Sequence, residues 1–302
     1  MTHVFADRLI DAARRLGTPL CVGLDPFPDR IPALFGPVGE PDTAERFFMA
    51  VLDEVAGKVG VLKPQAGLFE PWGATGVAMM ERLVARAVDL GLIVILDAKR
   101  GDIGTTAAGY AKACLGPGAA IAADCVTVNP YLGLDSLEPF AEAALATGKG
   151  VAVLVRTSNP GARDFQDLDV GGAPLWTRVA EALQGLEGRL TGGGDWSSLM
   201  VVMGATWPEE ARRLRAILPR ALVLVPGYGA QGGAAADALA AFKPGPRGPE
   251  GGVVSSSRGV LYPAGAAHAA TMAAWRAAFH AEGLGPAIAG LRAASETVAT
   301  GG

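Results

Sequence analysis

The chain has 302 residues, half of them hydrophobic and 19% charged, so disorder is excluded as the global state. The formal net charge is -4, from 26 basic and 30 acidic residues with no basic stripe. A nucleic-acid partner is disfavoured, because affinity for a phosphate backbone needs clustered Lys and Arg.

The N-terminus, Met1 to Arg8, lacks a basic stretch followed by an apolar one, so no secretory signal is expected. Eight short apolar runs then recur at 20–25, 60–64, 92–97, 126–129, 151–157, 199–204, 221–226 and 252–257. Most are continuous instead of alternating, the pattern of parallel strands buried on both faces. Segments with helical spacing lie between them, at 43–57, 75–90, 105–115, 136–147, 173–186, 208–218, 232–242 and 264–282. Pro139 and Pro208 sit where a helix starts, and Glu209 and Glu210 place acids at a positive helix end. Thr271, Met272 and Trp275 share a helical face and read as core packing.

Eight strands alternating with eight helices predict a (β/α)8 TIM barrel with extra terminal helices, one domain over residues 1–302. An open doubly wound sheet is the alternative. The glycine- and proline-rich stretch 243–252 reads as a loop, long enough to be mobile. Cys21, Cys114 and Cys125 are odd in number and far apart, which reads as buried free thiols in a reducing, cytoplasmic setting. No apolar run approaches the ~20 residues of a membrane span.

The most informative segment is Leu92-Ile93-Val94-Ile95-Leu96-Asp97-Ala98-Lys99-Arg100-Gly101-Asp102. Strand residues at i and i+2 share a side, so Asp97 and Lys99 are expected to project together into the barrel mouth, with Asp102 at the following turn. Such an array offers a fixed ammonium as proton donor and negative charge that repels an incoming anion. A helix cap at Asp102 and a structural ion pair at Asp97–Lys99 are the plainer readings, but charges placed after a buried strand are a costly way to stabilise a fold.

Asp97-Ala98-Lys99-Arg100-Gly101-Asp102-Ile103 resembles the D-x-K-x-x-D signature of the orotidine 5'-phosphate decarboxylase family, in particular its longer-chain bacterial members. The likeness runs from Cys21-Val22-Gly23-Leu24-Asp25 to Ser255-Ser256-Ser257-Arg258. The resemblance implies decarboxylation of orotidine 5'-phosphate to UMP and CO2, the last step of UMP biosynthesis, with no metal or organic cofactor. It assigns Asp25 to the ribose, Lys63 to the ribose and the charge network, and Asp97, Lys99 and Asp102 to the catalytic array. It further implies a homodimer in which Asp102, Ile103 and Thr106 reach the neighbouring site. The segment 156–161 matches the pyrimidine-reading region, with Ser158 the better match and Thr157 the second.

A phosphate site is legible without the resemblance. Pro226-Gly227-Tyr228-Gly229-Ala230-Gln231-Gly232 follows the seventh strand and opens a helix, where backbone N–H groups attract anions. Arg258, after the eighth strand, can grip phosphate oxygens bidentately, and barrels commonly hold phosphate after these two strands. The resemblance gives Gln231 and Arg258 those roles. Gly227-x-Gly229-x-x-Gly232 formally matches a dinucleotide fingerprint, but it lies late in the chain and lacks an acid at a following strand end. His3, His268 and His280 show no metal-ligand spacing. The rival readings are a metal-assisted sugar-phosphate enzyme of the same superfamily, disfavoured because Lys63 stands where those members carry a glutamate, and a non-catalytic phosphate-binding barrel.

Overall fold

The computed structural model describes residues 4–205, 207–226 and 235–300. The strands are β1 (Leu20–Leu24), β2 (Val61–Pro64), β3 (Ile93–Arg100), β4 (Cys125–Val128), β5 (Gly150–Arg156), β6 (Ser197–Met203), β7 (Ala221–Val225) and β8 (Gly252–Ser256). All are parallel, pair in chain order, and close where Leu20 of β1 meets Val254 of β8. The barrel expectation therefore holds, and the open sheet is excluded.

Strand alternation sorts the apolar residues into two layers. Cys21, Val61, Ile93, Ile95, Cys125, Ala152, Met200, Val202, Leu222, Leu224 and Val253 fill the barrel interior. Their neighbours, including Val22, Leu62, Val94, Val126, Val151, Val201, Val223 and Val254, face the surrounding helices. The N-terminal helix Phe5–Leu16 closes the bottom, burying Phe5, Ala6, Leu9 and Ile10 against the inner layer. Glycine at 150 makes room for it, since a Cβ there would stand 2.3 Å from the Phe5 ring. Cys21, Cys114 and Cys125 are buried free thiols. Burial pushes the Cys21 thiol up to about 12.

Several elements depart from the sequence expectation. The third strand continues past Asp97 to Arg100, with a register shift against β4 between Leu96 and Arg100. The segment 264–282 is not one helix: Ala264–Ala267 and Met272–Ala278 are separated by a break that Thr271 caps, accepting a hydrogen bond from Ala274 N at 3.2 Å. Thr271 is thus a cap and not a core residue, whereas Trp275 is fully buried.

The stretch 243–252 is pinned instead of loose. Lys243 and Glu250 exchange two backbone hydrogen bonds of 2.8 Å. The buried Glu250 carboxylate takes both donors of Arg14 at 2.7 Å. Arg215 Nη2 donates to Gly251 O at 3.1 Å. Among the described residues no helix is long and apolar enough to cross a membrane.

Candidate active site

The next inward positions above the inner apolar layer carry the polar groups. Two residues beyond Val61 stands Lys63, two beyond Ile95 stands Asp97, two beyond Cys125 stands Thr127, and two beyond Val253 stands Ser255. Asp25 stands just past the end of β1 in the same series, four residues after Cys21. These side chains, with Lys99, Ser158 and Arg258, line a cavity of about 470 Å³ at the C-terminal mouth of the barrel. That is the face where TIM barrels place their chemistry.

At its centre is an alternating chain of charge. Lys63 Nζ donates to Asp97 Oδ2 at 2.7 Å, and Lys99 Nζ donates to Asp97 Oδ1 at 2.5 Å. Burial alone would lift the Asp97 carboxyl, but the Lys63 and Lys99 ammonium groups outweigh it and hold it down at about 2. Burial likewise disfavours the Lys63 cation, yet Asp97 and Asp25 override it and raise its pKa. Lys63 and Asp97 are buried, while the Lys99 side chain keeps 46% of its surface open to the cavity. Asp25 Oδ1 is buried without a hydrogen-bond partner among the described residues, so it can accept from a donor entering the cavity.

Lys99 is not an ordinary strand residue. Its φ is +47°, the left-handed region that a residue with a Cβ rarely adopts. Thr127 of β4 holds that turn: its hydroxyl accepts from Ala98 N at 3.0 Å and Lys99 N at 2.8 Å, and donates to Asp97 Oδ1 at 3.1 Å. Simple i, i+2 alternation therefore reached the right pairing for an incomplete reason. The two side chains meet because of a strained turn supported by the next strand. In the amide orientation that satisfies both ends, Gln65 donates to Asp97 O and Oδ2 at 2.9 Å each. Thr127 and Gln65 escaped the sequence reading. The signal for Gln65 was available, since it lies two residues after Lys63 on the same face.

Asp102 is not brought to Lys99 within the chain. Its carboxylate accepts from Ile103 N at 2.8 Å, and it stands outside the cavity. Helix Gly104–Leu115 has no side-chain cap, so Asp102 does not serve as one. Thr106 is exposed in the first turn of that helix and does not line the cavity. Gln231 and its glycine-rich segment lie outside the described residues. Arg258 opens the helix Arg258–Leu261 at the rim.

At the tip of β5 the two candidates differ. Thr157 is engaged: its N–H donates to Gln166 Oε1 at 2.9 Å, and its hydroxyl receives Gln166 Nε2 at 2.9 Å and donates to Asn159 Oδ1 at 2.6 Å. The Ser158 hydroxyl lines the cavity and has no protein partner among the described residues. Among those residues no three His, Cys, Asp or Glu side chains gather as a metal-holding group.

The chain is similar to known proteins over most of its length. Residues 18–272 match the family profile described as "Orotidine 5'-phosphate decarboxylase / HUMPS family". The orotidine 5'-phosphate decarboxylase of Deinococcus radiodurans is 42% identical over 265 residues, covering 88% of this chain and 92% of that relative. The protein of the same name from Rhodopirellula baltica is 40% identical over 272 residues, covering 85% and 88%. The solved structure of Leishmania donovani OMP decarboxylase superimposes with a TM-score of 0.76 at 31% identity, covering 97% of this chain and 99% of that one. The charged barrel mouth and the match across most of the length lead to one assignment: the chain belongs to the orotidine 5'-phosphate decarboxylase / HUMPS family.

Proposed function

We propose that the protein decarboxylates orotidine 5'-phosphate to UMP and CO2, with Lys99 as the proton donor to C6 of the pyrimidine. The observation that carries this reading is the Lys63–Asp97–Lys99 chain, in which Lys63 is nearly buried and the outer ammonium of Lys99 is the more exposed. In the reaction the C6–carboxylate bond breaks and CO2 leaves. The electron pair stays on C6, and an N–H proton of Lys99 then forms the new C–H bond. No electron sink lies next to C6, so fixed charge must stabilise the developing carbanion.

Asp97 is ionised and turned toward the same space, where it disfavours a bound carboxylate and favours its departure. One charge pair at ~4 Å and an effective dielectric near 20 is worth on the order of 4 kcal/mol. Enzymes lower barriers by roughly 8–23 kcal/mol, so remote binding must contribute. Arg258 and Gln231 are assigned to the phosphate, the unpaired Asp25 Oδ1 to a ribose hydroxyl, and the free Ser158 hydroxyl to the pyrimidine edge.

Decarboxylation followed by the loss of orotidine 5'-phosphate absorbance tests the assignment. Turnover unchanged by chelator is expected. Metal-dependent activity on a ketose phosphate in place of this substrate would overturn it.

The same reading includes a homodimer that completes the site. Asp102 and Thr106 flank Ile103, which is 58% exposed. Tyr131, Leu132 and Leu134 are exposed on the adjoining loop, 85% in the case of Tyr131. An apolar rim beside a catalytic mouth suits a second copy of the chain. Mixing two inactive variants, Lys99→Ala and Asp102→Ala, regenerates one intact site per hybrid dimer, so recovery of about a quarter of wild-type activity is expected. Absence of recovery would place Asp102 outside the neighbour's site. The buried thiols fit a reducing, cytoplasmic compartment.

A further inference from the structure

The end of β5 carries a cation that the reaction does not use. Ala152 and Leu154 face the barrel interior, and alternation would send Arg156 into the cavity beside Lys63 and Lys99. The register of β5 against β6 shifts between Leu154 and Arg156, and the guanidinium ends fully buried elsewhere. Arg156 Nε donates to Glu210 Oε2 at 2.6 Å. Nη2 donates to Asp167 Oδ2 at 3.3 Å, and Nη1 stands 2.9 Å from Asp167 Oδ1 as an ion pair. The group lies 4.4 Å from the centre of the Trp207 ring, with Arg163 at 4.9 Å from the same ring.

These partners belong to two different loops. Arg163 and Asp167 follow β5, and Trp207 and Glu210 follow β6. The backbone repeats the tie, since Gly204 N donates to Arg156 O at 2.9 Å. Gly204 also sits directly against the β5 tip: a Cβ there would stand 2.9 Å from Ser158 Cα and 3.0 Å from Ser158 Cβ. The tip is thus clamped from behind by Arg156 and seated on a bare glycine.

We propose that Arg156, clamped by Glu210 and Asp167 and backed by Gly204, is a positioning residue that sets how Ser158 reads the pyrimidine. This rests on the assignment of Ser158 under the proposed function. Arginine suits the task because its planar fork engages two carboxylates and an aromatic face at once, which lysine cannot do. A residue acting this way changes recognition of the base and leaves recognition of the sugar phosphate alone.

The test compares equilibrium binding of UMP and of ribose 5-phosphate to the full chain. The variants are Arg156→Lys, Gly204→Ala and the shape-conserving Glu210→Gln, the last chosen because it keeps the buried cluster filled. UMP affinity is expected to fall by about tenfold or more, the scale of effect of a small misplacement, while ribose 5-phosphate affinity holds. In a Ser158→Ala background, Arg156→Lys should cause no further loss of UMP affinity. Parallel loss of both ligands, or an undiminished UMP affinity in all three variants, would overturn the proposal. Wild-type turnover of orotidine 5'-phosphate is measured alongside. A missing split then counts against the Arg156 assignment and leaves the activity standing.

Discussion

Lys63 and Asp97 stand 2.7 Å apart on neighbouring strands, each nearly closed off from water, while Lys99 meets the same carboxylate from the open side. One carboxylate thus carries two cations in different surroundings. Under the proposed mechanism the inner pair bears on stability and the outer ammonium on chemistry, and substitutions should separate the two.

Lys63→Ala leaves Asp97 buried with its inner partner gone. Breaking a buried pair from one side costs about 3–5 kcal/mol, so a loss of that order in urea unfolding is expected, together with loss of activity. Lys99→Ala removes an exposed partner. It should abolish decarboxylation while shifting stability by no more than about 1 kcal/mol. Retained turnover in Lys99→Ala would remove Lys99 from its assigned role.

The pH dependence follows from the directions of the two shifts. Asp97 is depressed in the folded protein, so its contribution to stability is present above the ordinary carboxylate range and drains away as pH falls toward about 2. Lys63 is raised above its ordinary 10.5, so its contribution is full below that value and is lost as pH climbs through the folded one. The stability gap between wild type and Asp97→Asn should stay constant between about pH 5 and pH 9, and shrink below about pH 4. Chemical unfolding across that range measures it, and a gap already narrowing at pH 6 would contradict the pairing.

Arg258 is exposed at the rim and has no ion-pair partner among the described residues. Arg258→Ala should leave the melting temperature unchanged, because it removes no buried contact. KM for orotidine 5'-phosphate should rise and kcat/KM fall by about tenfold or more, the worth of a charge-assisted hydrogen bond of roughly 1.5–3 kcal/mol. Unchanged kcat/KM would mean that the phosphate is held elsewhere.

At the opposite end of the barrel, Arg215 is buried and donates to four carbonyls: Ala241 at 2.7 Å, Leu218 at 3.0 Å, Ala221 at 2.6 Å and Gly251 at 3.1 Å. Its guanidinium also lies 5.0 Å from the centre of the Trp196 ring. Arg215→Met strands those acceptors, each at a desolvation cost of about 1–3 kcal/mol where no water enters. Several degrees of lost thermal stability are expected, with kcat/KM of the folded fraction near wild type. A selective fall in kcat/KM without destabilisation would show that this staple acts on the catalytic mouth.

Much of the architecture was legible from residue order, because strand alternation and helical spacing are local properties of the chain. All eight strands appear at the expected places, and the strand-end residues Lys63 and Asp97 stand above an apolar inner layer. The tertiary structure decided what depends on contact between distant segments. The left-handed turn at Lys99 is held by a hydroxyl 28 residues away on the next strand, so no local pattern could announce it. Gln166 engages the Thr157 hydroxyl and leaves Ser158 at the cavity without a partner among the described residues, and the stretch 243–252 is ordered because Arg14 and Arg215 reach it from far along the chain. Arg156 shows the same division: alternation points it at the cavity, and a register shift, the carboxylates of Glu210 and Asp167 and the Trp207 ring accompany its burial elsewhere. Alternation and composition act within a few residues and can be read in one dimension, whereas hydrogen-bond satisfaction and ion pairing are settled only where the closed barrel brings remote groups within reach.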